Sequence, residues 1–536
     1  MSIVGYKAAG HDGAVCCIEN GVLRYSIEGE KDSGARHALI GPEEFKSILD
    51  KWQTNPSVVC SDSRSMDTNL LEYHGISLDE ILWSRASAAG REFEFASVPH
   101  ELAHITCAYA LSDLPEGQEF YALVWEGYLG RLYHVDKNFL ISKLEVMDYV
   151  GVRYSFPYHA TGRDGIYGHS AAGKIMALAG LAKPDDVRQP QLKRITDLLL
   201  DSWVTHARHE RISLNGDPDL LYRELSYLDG KAVDSPEFVA LCKALQDGIF
   251  NRFFEVARRN VSRKLPLLIA GGCALNCDWN TQWRNCGLFS TVFVPPVPSD
   301  CGIAIGVAAA INYIRTGRMK LRWDVYAGEE FVEENGHLAE QGFRERELDL
   351  QSLCEGMLER DWVVAWVQGR YEMGPRALCH RSLIAAPFRT EIRDRLNAIK
   401  KREYFRPVAP VCLEETVGEH FDWRGSSPHM LYFQNVSSPQ LRTTTHLDGT
   451  ARVQTINELQ DRATYSLLQE MRKASGFGVA CNTSLNFLGK GFINRSSDLA
   501  KYAGEQKLDA VVVNDRMYVN LAADQLPLPR VAQTRF

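Results

Sequence analysis

The chain has 536 residues, 45% of them hydrophobic and 24% charged, with a formal net charge of −8. That length is too great for one ordinary core and implies two or three domains. The acidic balance excludes a global pull toward nucleic acid or membrane, so any anion site must be a local concentration of Lys and Arg.

The first expected elements are three strands, 3–6, 14–18 and 23–27, parted by turns at 10–13 and 19–21, which read as an antiparallel meander. No basic and apolar leader precedes them, no apolar stretch approaches the roughly 20 residues of a membrane span, and most of the 13 cysteines (Cys60, Cys107, Cys242 and Cys481 among them) lie in apolar runs as small buried thiols. A cytoplasmic location is the expectation. A helix follows at 101–111, a strand pair at 121–125 and 131–135, and a long helix at 236–258. Leu267–Ala270 reads as a buried strand stopped by Gly271-Gly272, and 303–314 as a helix rich in small residues. An acidic, weakly patterned stretch at 326–350 reads as a linker or surface hairpin between a first domain, 1–325, and a second α/β unit, 351–536. The second unit shows strands at 362–367, 478–481 and 510–513, the last of the chain, with helices at 391–402 and 463–474. No internal repeat or low-complexity tract is visible.

His100 and His104 stand four apart behind Pro99, on one face of the first helix, a geometry suited to two ligands of one transition metal. An isolated pair of this spacing is more often merely two core or surface histidines. The string His100-Glu101-Leu102-Ala103-His104 also matches the zinc-peptidase H-E-x-x-H letter for letter, which makes a zinc hydrolase a competitor. The rest of the chain points elsewhere. Asp300, in Ser299-Asp300-Cys301-Gly302 before a helix, could be a third ligand, and the turns at Gly10-His11-Asp12-Gly13 and Gly271-Gly272 are of the kind by which an actin or sugar-kinase ATPase approaches phosphate.

The strongest local signal is basic. From Arg370 to Arg406 there are ten Lys/Arg against four Asp/Glu, interleaved with Gly, Pro and apolar residues in an otherwise acidic protein. Guanidinium groups fixed beside tight turns suit bidentate capture of phosphate oxygens. His446, Asp448-Gly449, Arg452 and Asn482-Thr483-Ser484 would add to the same pocket. An RNA groove is disfavoured by the sparse aromatic residues there.

G-H-D-G-A, H-E-L-A-H, G-G-C-A-L-N, S-D-C-G, G-P-R-A-L, K-K-R-E-Y-F-R-P, H-L-D-G-T-A-R-V-Q and C-N-T-S-L-N, in that order and nearly end to end, resemble the nodulation-protein, cephem and tobramycin O-carbamoyltransferases, with the stretch 26–33 closest to the cephem branch. The resemblance implies an α/β protein with an N-terminal actin/sugar-kinase-like (Kae1-type) ATPase fold and a C-terminal YrdC-like domain. It implies that His100, His104 and Asp300 hold an iron-type metal. Gly271, Gly272 and Asn276 would belong to the nucleotide site of the first domain, and Arg376, Lys401, Arg406, Arg452 and Asn482 to carbamoyl-phosphate and ATP contacts in the second. Two departures stand out. Trp125-Glu126-Gly127-Tyr128-Leu129-Gly130 replaces an Asp-Gly-x-Gly turn, so Glu126 and Gly127 enter the cofactor-binding set with a longer carboxylate, and Cys379-His380 replaces a Gly-Asn or Gly-His pair.

The expected activity is therefore an ATP-dependent carbamoyltransferase. The second domain converts carbamoyl phosphate and ATP to carbamoyl-AMP, whose better leaving group and adenosine handle favour attack by a weak hydroxyl nucleophile. The first domain passes the carbamoyl group to a hydroxyl or amine of a small natural-product acceptor. His11 is the candidate base and the divalent metal, Fe(II) with Mg as a further candidate, the Lewis acid. No nucleic-acid or membrane partner is expected, and the oligomeric state stays open. The alternatives are a threonylcarbamoyl-type tRNA-modifying enzyme and an actin- or Hsp70-like ATPase switch.

Overall fold

A computed structural model of the chain describes residues 1–8, 10–64, 73–88, 91–161, 169–183, 189–201, 204–205, 212–213, 220–406 and 408–524. The first sheet contains β1 (Ser2–Lys7), β2 (Ala14–Glu19), β3 (Val22–Glu28), β4 (Val58–Ser61), β5 (Leu82–Ala88) and β6 (Arg91–Ser97), in the order β3-β2-β1-β4-β6-β5. The first three strands form the expected antiparallel meander, and β4 and β6 then add in parallel beside β1.

The second sheet contains β7 (Phe120–Trp125), β8 (Gly130–Val135), β9 (Ile141–Glu145), β10 (Leu267–Ala270) and β11 (Val292–Phe293), in the order β11-β10-β7-β8-β9. It winds as the first does: a meander, then two strands added in parallel beside the meander's first strand. The chain therefore carries a repeat of topology, the doubled α/β arrangement of actin and sugar kinases, which belongs to strand pairing and leaves the expectation of no repeat in the residue sequence as it was. The two halves share a strand order but no residue pattern, and a largely helical excursion between β9 and β10 breaks up the second copy.

Four helices position the sites: α1 (His100–Leu111), α2 (Val150–Ala160), α3 (Cys277–Asn285) and α4 (Ile303–Thr316). Every residue of α1 is buried, as are residues 303–312 of α4, so neither helix shows a polar face and both read as core. They cross at very short range. A Cβ on Gly306 would stand 1.9 Å from the carbonyl oxygen of Ala103, and one on Gly5 in β1 would stand 1.8 Å from that of Ala304. Thr106 Oγ1 donates to the Gly306 carbonyl at 2.7 Å.

The third sheet contains β12 (Phe343–Glu347), β13 (Val364–Val367), β14 (Arg381–Ala385), β15 (Ala409–Leu413), β16 (Gln454–Ile456), β17 (Val479–Ser484), β18 (Ala510–Val513) and β19 (Arg516–Asn520), in the order β12-β19-β18-β13-β14-β17-β15-β16. Two expectations need correction. Residues 326–350 are not a bare linker, because β12 forms an edge strand of this sheet and Phe331 and Leu338 enter its core. Nor is 510–513 the last strand: Asn514, at φ 54°, turns the chain back into β19. The two domains pack through a strap, residues 28–37, that lies on the second domain. Glu28 accepts from the Gly374 amide at 2.5 Å, Lys31 Nζ donates to the Gly374 carbonyl at 2.6 Å, and Arg495 pairs with Asp32.

Gly306→Ala should overpack the helix crossing and lower stability to urea by about 1–3 kcal/mol or more. Gly173→Ala, on a helix position where a Cβ meets nothing within 4 Å, should be neutral or stabilising by up to about 1 kcal/mol. Equal effects from the two changes would show that the crossing is not tight.

Candidate functional site

The crossing of α1 and α4 brings four ligand-bearing residues together. His100 and His104 come from α1, Glu126 from the end of β7, and Asp300 from the single turn before α4. One donor atom from each lies within 4.8 Å of the others, and all four residues are buried. His104 Nε2 stands 2.9 Å from Glu126 Oε2 and 3.7 Å from Asp300 Oδ1, while His100 Nε2 stands 3.4 Å from Glu126 Oε2. Donors held about 2.1 Å from one ion are about 3.0 Å apart at right angles and about 3.4 Å apart at the tetrahedral angle, so these separations fit a shared divalent ion. His100 Nδ1 meets Asp62 Oδ2 at 2.8 Å, which fixes the ring with Nε2 toward the cluster. Lys7 Nζ binds Asp62 at 2.7 Å and reaches Asp300 at 3.2 Å.

The sequence placed His100, His104 and Asp300 correctly beside one another. It put Glu126 with the cofactor contacts, whereas Glu126 is the fourth member of this cluster, and it missed Lys7 and Asp62. A charged residue closing the buried strand β1, and a Ser-Asp-Ser run across the end of β4, were the available signals. Glu101 removes the peptidase alternative. Its carboxylate accepts from Arg131 Nη1 and Tyr133 OH, both at 2.5 Å, on the neighbouring strand β8. It therefore cannot serve as the base of an H-E-x-x-H site.

His11 lies on the first hairpin, with Nδ1 3.2 Å from Asp12 Oδ2. Burial works against its charge, but the carboxylates of Asp12 and Asp300 outweigh it and raise its pKa to about 9. A proton acceptor must be neutral, and a cation sharing the charge of Asp300 would favour the neutral imidazole.

Gly271 follows β10 at φ 90°, and a Cβ there would stand 2.3 Å from the Trp125 carbonyl oxygen, so only glycine fits. At Gly272 and Gly127 a Cβ would meet nothing within 4 Å, which leaves both turns open to a ligand. Asn276 is a different case and corrects an expectation. Its side-chain oxygen caps α3 by accepting from the amides of Asp278 and Trp279 at 3.1 and 3.2 Å, and its amide nitrogen faces Gln246 and Tyr154. It holds the turn and is not available to a nucleotide.

In the second domain Arg376, Arg402, Arg406 and Arg452 form a cluster, joined by Arg36 from the strap. Burial first, then mutual repulsion with Arg452, Arg406 and Arg36, lowers the pKa of Arg376 to about 9. Burial and repulsion from Arg406, Arg452 and Arg36 lower that of Arg402 to about 9. Guanidinium groups keep their protons even so, and an entering polyanion would relieve the repulsion. Arg376, Arg402, Arg406 and Arg452 all retain part of their surface, as a ligand site requires.

Lys401, expected in this set, is exposed, and Arg402 beside it takes the place. Lys400 is engaged by the carbonyls of Ser484 and Asn486 and by the Asn486 side chain. Among the described residues Arg376 Nε, Arg452 Nε and the buried Asn482 Oδ1 have no partner, while Asn482 Nδ2 donates to Ala377 and Gln454. Of the additional residues expected here, His446 Nδ1 meets Thr450, and Asp448 accepts from the Thr450 amide as a local turn. Arg376 Nη2 donates to the Leu275 carbonyl at 3.1 Å, which joins this cluster to the glycine turn of the first domain.

Residues 90–310 match the carbamoyltransferase N-terminus family and 356–520 the carbamoyltransferase C-terminus family. The chain is 39% identical to the 3'-hydroxymethylcephem-O-carbamoyltransferase of Amycolatopsis lactamdurans, over 97% of this chain and 99% of that one. It is 38% identical to the protein of the same name in Streptomyces clavuligerus, over 97% and 100%. With nodulation protein U of Rhizobium tropici it shares 32% identity over 92% of each. Full-length HypF in its phosphate- and nucleotide-bound form superposes with a TM-score of only 0.32 at 15% identity, over 60% of this chain and 56% of that one, so the fold assignment rests on strand order.

His104→Ala should abolish stoichiometric divalent-metal binding, measured by elemental analysis, in a protein that keeps its circular dichroism spectrum. Glu101→Gln should keep the metal. The reverse pattern would mean that Glu101, and not the cluster described, completes the site.

Proposed function

The chain belongs to the carbamoyltransferase family, and we propose that it activates carbamoyl phosphate with ATP in its second domain and delivers the carbamoyl group to a small acceptor in its first. It is an enzyme of carbamoyl transfer to a hydroxyl. Membership of a transferase family sets aside the actin- or Hsp70-like switch. No described helix is long and apolar enough to cross a membrane.

The observation that carries the reading is the group of arginines to which, among the described residues, no carboxylate is bonded, with unpartnered nitrogens at Arg376 and Arg452. Such a site suits the phosphate of carbamoyl phosphate and the triphosphate of ATP. Water attacks the phosphorus of carbamoyl phosphate and the P–O bond to the carbamoyl group breaks, giving phosphate and carbamate; a carbamate oxygen then attacks the α-phosphorus of ATP and displaces pyrophosphate, giving carbamoyl-AMP. Asn482 Oδ1, buried and unpartnered, suits an N–H of the carbamoyl amino group.

In the first domain the open turns at Gly127 and Gly272 suit the adenylate. His100, His104, Glu126 and Asp300 suit Fe(II) or another divalent ion, which when bound would supply Lewis-acid polarisation of a carbonyl there. His11 takes the proton of the acceptor hydroxyl as its oxygen attacks the carbonyl carbon and AMP leaves. The relatives named for 3'-hydroxymethylcephem make that hydroxymethyl compound the acceptor to try first.

With carbamoyl phosphate, ATP and 3'-hydroxymethylcephem, each transfer should yield one AMP and one pyrophosphate. ADP accumulating with carbamoylated product would overturn the adenylate. Arg376→Ala should slow adenylate formation with or without acceptor, and preformed carbamoyl-AMP should rescue it. His11→Ala should form the adenylate yet transfer it about 10²–10⁴-fold more slowly, unrescued. Rescue of His11→Ala and not of Arg376→Ala would show the two chemistries to be assigned to the wrong domains.

A further inference from the structure

Asp12 is shared by two imidazoles. Its Oδ1 lies 2.6 Å from His37 Nδ1 and its Oδ2 3.2 Å from His11 Nδ1. The two imidazoles outweigh burial and keep Asp12 ionised. An ionised carboxylate only accepts, so His37, hydrogen-bonded to it, carries its proton on Nδ1; His11 Nδ1 faces the other oxygen outside hydrogen-bond geometry, and the negative charge beside it favours the proton on that nitrogen, which leaves the lone pair of a neutral ring on Nε2. The trio could in principle hold an ion. Ligands of one ion stand about 3.0–3.4 Å apart, however, and 2.6 Å between nitrogen and carboxylate oxygen is a hydrogen bond.

We infer that His37 is a positioning residue for carbamoyl transfer: it anchors Asp12, and Asp12 in turn holds the ring of His11 with Nε2 presented to the acceptor. This rests on the reading of His11 as the base. The backbone shows how firmly the arrangement is held. Asp12 and His37 both adopt the left-handed conformation, at φ 56° and 60°, as do Asp32 and Ser33 in the strap that carries His37. Such conformations are unfavourable for residues with a Cβ and persist where surrounding contacts over-determine them.

Those contacts come from the second domain. The Gly491 amide donates to the Gly34 carbonyl at 2.9 Å, the Ser33 amide donates to the Phe492 carbonyl at 2.8 Å, and Arg495 grips Asp32. Charged and titratable groups facing His37 include Asp12, Glu30, whose Oε2 accepts from the His37 amide at 3.4 Å, and the edge-on ring of His11. Docking of the second domain thus fixes the group that orients a base of the first.

The test compares the wild-type full chain with His37→Ala and His37→Asn after histidine ¹⁵N labelling, the His11 signals being identified by their loss in His11→Ala. In the wild type neutral His11 should be a fixed Nδ1–H tautomer. His37→Ala should lose that fixed state, and His37→Asn, whose amide N–H can still reach Asp12, should keep it. With carbamoyl-AMP and 3'-hydroxymethylcephem, His37→Ala should lower kcat about 10–100-fold, as loss of an orienting partner does, with the acceptor KM unchanged and His37→Asn recovering most of the rate. Adenylate formation from carbamoyl phosphate and ATP should not change. An unaltered His11 tautomer in His37→Ala overturns the inference, as does an equal fall in adenylate formation or the loss of a second equivalent of divalent metal. If the wild type transfers nothing, the proposed function fails, and the tautomer measurement still decides this inference.

Discussion

The backbone contact between α1 and α4 sets the distances on which the first domain's chemistry depends. Gly306 lies against the Ala103 carbonyl, between the two histidines of α1, and Gly5 brings β1 with its terminal Lys7 against the start of α4. Because the elements meet backbone to backbone, the spacing of His100, His104 and Asp300 is fixed by rigid helices and not by long side chains that could relax. That suits a metal centre, where small displacements of a donor change geometry and affinity. The cost is a pair of helices with no polar face, which the two sheets must cover completely.

Both candidate sites hold uncompensated charge, with opposite sign. Around α1, Asp62, Glu126 and Asp300 surround the ammonium of Lys7 and two imidazoles. In the second domain the arginines face one another. Burying like charges is unfavourable unless something of the other sign shares the space. The fold tolerates each imbalance because large apolar cores carry its stability, and each imbalance suits a visitor of the opposite charge, a cation in the first domain and a polyanion in the second.

Much of this was legible in the sequence, for reasons that differ by element. The meander, the helix from His100 and β10 with its Gly-Gly stop are local patterns, and local patterns survive in sequence. The repeat of topology was invisible because strand order is a property of pairing and not of residue spacing. Glu126 was placed among the cofactor contacts because it stands where the resembling family has an Asp-Gly-x-Gly turn, and only the fold shows that its carboxylate turns toward α1. Lys401 and Arg402 are neighbours of the same charge, and the turn, with Lys401 at φ 48°, decides which of them joins the cluster. Asn276 shows the opposite failure: a polar residue within a recognisable motif whose work is to cap a helix. Arg36 and His37 lay outside any pattern because they reach the sites from a distant segment.

The strap explains why the two domains must remain docked for either site to be complete. Arg36 and His37 are consecutive, yet one contributes its charge to the arginine cluster and the other bonds Asp12 on the first hairpin. One backbone segment can serve both because adjacent side chains leave it in different directions, and the left-handed turn at His37 sharpens the divergence. Moving the strap away from Gly489 and Phe492 would therefore disturb the anion site and the transfer site together. Arg376 closes the same connection from the other side through the Leu275 carbonyl. The domain boundary drawn along the chain is thus a boundary of folding units only. In chemical terms each site borrows a residue, or a residue's support, from the other side of it.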